Sequence, residues 1–285
     1  MSKTLSTMAI GLLLLVGSTW AQETAEEAPK TGWKNELVGG VNLSQSSFDN
    51  WSQGGEDNLA WQININAKFE NDQEKTNWIN SGKLSFGHVK IGDQGSKKSV
   101  DEIRMESVLT YKTGLFSPYA AATGQTQLTA GYDYSLDPRV QVSDLFDPAY
   151  LTQSAGIQYK PSEIIKTRLG AALKETLTRN HPRYSDDPDT PDTLEKTRVE
   201  FGAESVTDLE KKLAENIQLT SKLELFSNLQ SAKEIDVRWD TIFTSKISKF
   251  IDVNFNVQLF YDSDISKKRQ LKQALALGLS YNFME

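Results

Sequence analysis

The feature that most constrains this sequence is an alternation of apolar and polar residues with a period of two, repeated along most of the chain. In Asn58–Phe69, Leu59, Trp61, Ile63, Ile65, Ala67 and Phe69 share one parity, while Asn58, Gln62, Asn64, Asn66 and Lys68 share the other. A helix of 3.6 residues per turn would scatter these side chains around its circumference, whereas a strand sends them to opposite faces. The pattern returns in Ile103, Met105, Leu109 and Tyr111 against Arg104, Glu106, Thr110 and Lys112. It recurs at Leu128–Tyr134, Leu151–Tyr159, Leu169–Leu173, Val199–Glu204, Ile217–Leu225, Ile235–Phe243, Val253–Tyr261 and Leu271–Phe283.

Lys34–Ser46 and Trp78–Lys90 bring the expected number of strands to about twelve. Most are longer than the five or six residues common in soluble sheets, and a tilted strand needs about 9–11 residues to cross a bilayer. The expected fold is all-β: a single antiparallel, up-and-down transmembrane β-barrel closed by the C-terminal strand. An even strand number puts both termini at the periplasmic end. The turns there are expected at Glu70–Asn77, Lys112–Ser117, Lys160–Lys166, Val206–Asn216 and Ser245–Phe250, with longer loops outside. Trp33, Phe69, Trp78, Tyr111, Tyr119, Tyr159, Tyr281 and Phe283 gather at that boundary, where amphipathic rings prefer to sit.

Composition narrows the chemistry. Among 285 residues there is no cysteine, which excludes a disulfide scaffold, thiolate metal sites, a Cys nucleophile and a lipoprotein anchor. A formal charge of −7 argues against nucleic acid as a partner. Residues 1–21 read as a secretory signal peptide: Lys3, the apolar run Met8–Val16, and Thr19 and Ala21 before a cut ahead of Gln22. That apolar core is too short for a membrane-spanning helix. Residues 22–32 read as a flexible acidic leader and 33–285 as the barrel domain, destined for the bacterial outer membrane.

With the apolar face on lipid, the lumen receives the other parity. Its candidate charges are Arg104, Glu106, Arg198, Glu200, Lys222, Glu224, Asp236, Arg238 and Asp240. Mixed signs point to a narrow or filled passage with little charge selectivity rather than a single-sign filter.

Two segments carry a family resemblance. One is Asn42–Leu43–Ser44–Gln45–Ser46–Ser47–Phe48 with Asn50–Trp51 and Gly54–Gly55–Glu56; the other is Val142–Ser143–Asp144–Leu145–Phe146–Asp147–Pro148–Ala149–Tyr150, followed by Gly156 and Tyr159–Lys160–Pro161. Together they resemble the domain-of-unknown-function 3078 family of secreted outer-membrane proteins of Bacteroidota-like bacteria, over roughly Trp33 to Arg179. The resemblance implies a barrel and no assigned reaction. The closing strand, with Leu275, Leu277, Leu279, Tyr281 and Phe283, resembles the signal read by barrel-insertion machinery, although Met284–Glu285 follow the last aromatic. Asn50, Trp51, Gly54 and Gly55 of the first outer loop and Phe146, Pro148 and Tyr150 of the third are candidates for a lid over the barrel mouth.

The search for catalysis yields little. His88 lies near the outer end of a strand with Ser85 and Ser107 as candidate partners for a rim hydrolase, but Ser85 has the opposite parity to His88 and no third group is fixed. His181 neighbours Asp186, Asp187 and Asp189, a pattern open to a protease or a metal, yet lacking the glycine and distal Glu of an EF-hand. No Walker loop, dinucleotide fingerprint, nucleophile elbow or zincin motif occurs. No cofactor and no metal are expected. The functional expectation is a small-solute channel or a structural surface protein with outer-membrane lipid as its surroundings. The alternatives are a rim hydrolase using His88 or His181 and a soluble periplasmic barrel holding a lipid-like ligand.

Overall fold

The computed structural model describes residues 31–50, 52–186, 190, 193–229, 235–262 and 266–284. The signal segment, most of the leader, Trp51, Asp187 and Asp189 lie outside the described residues.

The strands are β1 (Gly32–Ser46), β2 (Asn58–Asp72), β3 (Thr76–Ile91), β4 (Lys97–Tyr111), β5 (Phe116–Thr126), β6 (Gly131–Asp133), β7 (Val140–Ser143) and β8 (Ala149–Tyr159). They continue with β9 (Ile165–Leu177), β10 (Thr197–Ala214), β11 (Ile217–Asn228), β12 (Ile235–Lys246), β13 (Ile251–Asp262) and β14 (Ser266–Met284). All but β6 and β7 form one closed antiparallel ring in which chain neighbours pair and β14 returns to β1. The chain enters and leaves at the same end, called here the terminal end; the opposite end is the loop end.

The wall is polarised. Met105 is 66% exposed and Leu275 73%, and Leu43, Leu169, Val199, Phe201, Leu277 and Leu279 are also exposed. Glu102, Arg168, Glu200 and Asp252, by contrast, are buried. Apolar outside and charged inside is the reverse of a soluble barrel built around a lipid-like ligand. It is the polarity of a barrel whose solvent is lipid, where closure also satisfies the backbone without leaving sheet edges in hydrocarbon.

Aromatic side chains band the terminal end. Trp33 lies 6.1 Å from Trp78, Phe116 5.0 Å from Tyr159, and Tyr281 4.9 Å from Phe283. The Trp78 indole N–H donates to the Ser107 hydroxyl at 3.0 Å, so a ring on the outward face keeps no unsatisfied donor. Tyr119 does not belong to this band. It is buried and inward, and a Cβ at Gly170 would come within 2.8 Å of its hydroxyl, so the glycine makes room for it.

Two expected boundaries are corrected. The fifth barrel strand is Phe116–Thr126, not Leu128–Tyr134; the latter contains β6, which pairs only with β7 in a small hairpin at the loop end. Alanines 120–122 and the glycine at 124 gave β5 little contrast between its faces, so its period was hard to read. The stretch Val206–Asn216 is not a long turn: β10 runs to Ala214 and only 215–216 separate it from β11. Within this stretch Asp208 faces inward and pairs there.

The seam between β1 and β14 is short. The two strands pair from Leu37↔Met284 to Asn42↔Gly278, whereas β1 pairs with β2 along its full length from Gly32 to Ser46. Leu43–Ser46 and the loop-end part of β14 are not in register with each other among the described residues.

Candidate functional site: a charged lumen

Inward parity brings charged side chains from opposite walls into contact. β4 and β12 are half a circuit apart in the strand order, yet Arg238 of β12 pairs with Glu102 of β4. Arg104 of β4 pairs with Glu224 of β11, and the Arg238 Nε also reaches Glu224 at 3.6 Å. Lys83 of β3 spans to Glu102 and Asp240, both at 3.2 Å. Gln125 Oε1 accepts from both arginines, at 3.1 Å from Arg104 and 2.6 Å from Arg238. Asp240 further accepts from Asn256 at 2.6 Å and Gln258 at 2.8 Å. The central lumen is crossed, not merely lined.

Two satellite clusters flank this crossing. Toward the terminal end, Glu106 accepts from Arg168 at 2.6 Å and from Lys222, and Lys222 also lies 3.5 Å from Asp208. Toward the loop end, Lys174 sits among Asp236, Glu200 and Asp262 at 2.6, 3.4 and 3.5 Å. Three acids that would otherwise suggest a cation site are thus occupied by an ammonium of the chain itself. Charges taken from water need partners of this kind, because an unpaired one would cost several kcal/mol.

Each of the nine candidate lumen charges takes part in an ion pair, and the network also includes Lys83, Glu102, Arg168, Lys174, Asp208 and Asp262. Their parity agreed with the lumen face. Arg168 and Lys174 border the glycine and alanines of β9, and Asp262 is the last residue of β13, where the alternation stops.

Two cavities border the crossing. One of about 400 Å³ follows the β1, β2, β12, β13 and β14 wall, from Ser248 and Asn282 at the terminal end up to Lys272 and Val100. Asparagines 42, 64, 66, 254 and 256 line it. The other, about 150 Å³, lies on the β5, β8–β12 side in the loop half, with Tyr150, Phe226 and Phe260 in its wall.

The lid residues are placed as follows. In the first outer loop Phe48 lies against Gly55, whose Cβ would meet the ring at 2.8 Å and whose φ is +147°; Asn50 has φ +53°. Phe146 donates its N–H to Thr126 Oγ1 at 2.9 Å, that hydroxyl donates to the Pro148 carbonyl at 3.1 Å, and Tyr150 faces the smaller cavity. Among the described residues no hydrogen bond or ring contact joins the first-loop set to the third-loop set.

The third loop is instead clasped to the fourth by Asp147, which is 1% exposed. Its carboxylate accepts the N–H groups of Arg179 at 2.9 Å, Asn180 at 2.8 Å and His181 at 3.3 Å, and lies 2.9 Å from His181 Nδ1. His181 therefore serves a loop clasp, and its partner is not Asp186. Burial alone would raise the Asp147 carboxyl, but these donors outweigh it and hold the pKa at about 2. A lowered native pKa contributes stability above the ordinary carboxylate range that is lost as pH falls through about 2. Protease resistance of loops 127–148 and 178–196 should accordingly persist to about pH 3. In Asp147→Ala those loops are expected to be nicked at neutral pH, with the barrel core left intact.

His88 stacks on Trp61 at 5.6 Å and meets Phe86 edge-on at 5.1 Å, on the outward face. Neither expected serine is its partner: Ser85 is buried and bonded to Asn64, and Ser107 accepts from Trp78. Its Nδ1 is 3.0 Å from the Ser96 hydroxyl. Among the described residues no third group is hydrogen-bonded to that ring.

The inverted polarity, the closed twelve-strand ring and the charged interior define an integral β-barrel of the transmembrane kind. Residues 43–132 match the family described as "Protein of unknown function (DUF3078)", which bears out the resemblance over the first motif. The second motif, Val142–Tyr150, lies beyond the matched stretch. No curated protein matches the sequence. Among solved structures the chain is similar to an outer membrane channel from Pseudomonas putida F1, at 11% identity and TM-score 0.41 over 90% of this chain and 96% of that one. It is similar to the translocator domain of the autotransporter NalP from Neisseria meningitidis at 11% identity and TM-score 0.38, with 89% of each chain covered. A third similar structure is the KdgM porin, at 10% identity and TM-score 0.33 over 87% of this chain and 99% of that one.

Proposed function

We propose that this chain is a porin-like barrel of the outer membrane that passes small polar solutes or ions through a lumen throttled by cross-wall ion pairs. The observation that carries the reading is the asparagine-lined cavity of about 400 Å³ along the β1, β2 and β12–β14 wall. Amide side chains can replace part of a solute's hydration without holding it by charge, which suits passage better than storage. Lipid surrounds the barrel in this reading, and the aromatic-rich closing strand is what insertion machinery would engage.

Refolded protein in a planar bilayer is expected to show small, weakly charge-selective conductance, since both signs line the way. Persistent silence under applied voltage, in the parent and in variants with the crossing trimmed, would leave a structural barrel as the reading. No hydrolytic role is favoured: the His88 ring has Ser96 but no orienting acid or amide among the described residues.

A further inference from the structure

From the smaller cavity we infer a binding site for a small organic ammonium, a compact apolar group carrying one cationic nitrogen. Its volume of about 150 Å³ is below the range of about 300 Å³ and more typical for drug-sized ligands, so one small molecule fits. Its wall is aromatic where it is not charged. Phe226, Phe260 and Tyr150 contribute rings, and Lys174 Nζ already lies 5.4 Å from the Phe226 centroid, so this ring face accepts a cation. The ring is seated over Gly202, where a Cβ would come within 2.7 Å of it.

The charges in the lining are committed to one another, with one exception. Arg104 and Arg238 are held by Glu224 and Glu102, and Lys174 by Asp236, Glu200 and Asp262. Glu204 stands directly across from Phe226 in the β10–β11 register and lines the cavity. Among the described residues no Lys or Arg nitrogen lies within 4.0 Å of it. Arg168 of β9 pairs with Glu106 at 2.6 Å and lies 3.9 Å from Asp208. A carboxylate with spare acceptor capacity beside an aromatic wall selects a cation over an anion. The lining points the same way, since Arg104, Lys174 and Arg238 face Glu204, Glu224, Asp236 and Asp262.

This inference deepens the channel reading by naming a solute class, but binding is measured without passage, so either can fail alone. The test is calorimetric titration of the detergent-purified full chain with benzylammonium, benzoate and benzyl alcohol. Benzylammonium should bind saturably and benzoate should not. Glu204→Gln, which keeps the shape of the side chain, should weaken benzylammonium by about tenfold or more, the scale of one charge-assisted contact. Phe226→Leu should weaken it several-fold without restoring benzoate. Heat-modifiable gel mobility establishes that each variant is folded. Benzoate binding as tightly as benzylammonium, no heat with any probe, or unchanged affinity in folded Glu204→Gln would overturn the assignment.

Discussion

Arg238→Ala is expected to raise the single-channel conductance several-fold and to lower stability at the same time. Arg238 is the strut that touches both Glu102 on the far wall and Glu224 beside it, and it donates to Gln125. Removing it opens the middle of the lumen and leaves Lys83 as the ion-pair partner of Glu102 among the described residues. Losing one member of a buried pair costs about 3–5 kcal/mol in soluble proteins, chiefly because the abandoned charge stays desolvated. Water entering the opened gap would moderate that figure by rehydrating the carboxylate. The double variant Arg238→Ala/Glu102→Ala should conduct at least as well but recover part of the stability, because no charge is stranded. Conductance that stays unchanged in both variants would show that the ion pairs do not throttle the passage.

Met105→Arg is expected to destabilise the barrel by about 2–4 kcal/mol in lipid vesicles, the cost of a cation on a lipid-facing strand near the midplane. Met105 sits mid-strand in β4 and is 66% exposed. On a soluble protein such an exposed site would tolerate arginine within about 0.5 kcal/mol. The substitution therefore separates the two solvents directly. Urea unfolding in thin-chain lipid, followed by tryptophan fluorescence, reads the difference, and a neutral result would contradict the lipid-facing assignment.

Strand count, closure and the identity of the inward face were legible because period-two alternation is a local property, written into each strand separately. In β2 and β4 the apolar set could be named residue by residue, and the exposed Met105 and Leu109 match it. β5 was not legible, since alanine and glycine fill both of its faces. What alternation cannot encode is which charges meet. Glu102 and Arg238 are 136 residues apart, and their contact depends on ring circumference and register, quantities that belong to the closed barrel. The Asp147 clasp was hidden for a different reason: three of its four donated contacts are backbone N–H groups, which any sequence supplies.

The brevity of the β1–β14 seam bears on the surrounding lipid. Backbone amides without partners are costly in hydrocarbon, at several kcal/mol each, so only the zipped stretch from Leu37 to Asn42 can lie against acyl chains in comfort. Six rungs at about 3.3 Å each, further shortened by strand tilt, cover less than a bilayer core of about 30 Å. Acyl chains beside this flank must therefore shorten or draw back, and the protein would impose a dent in its membrane on one side only.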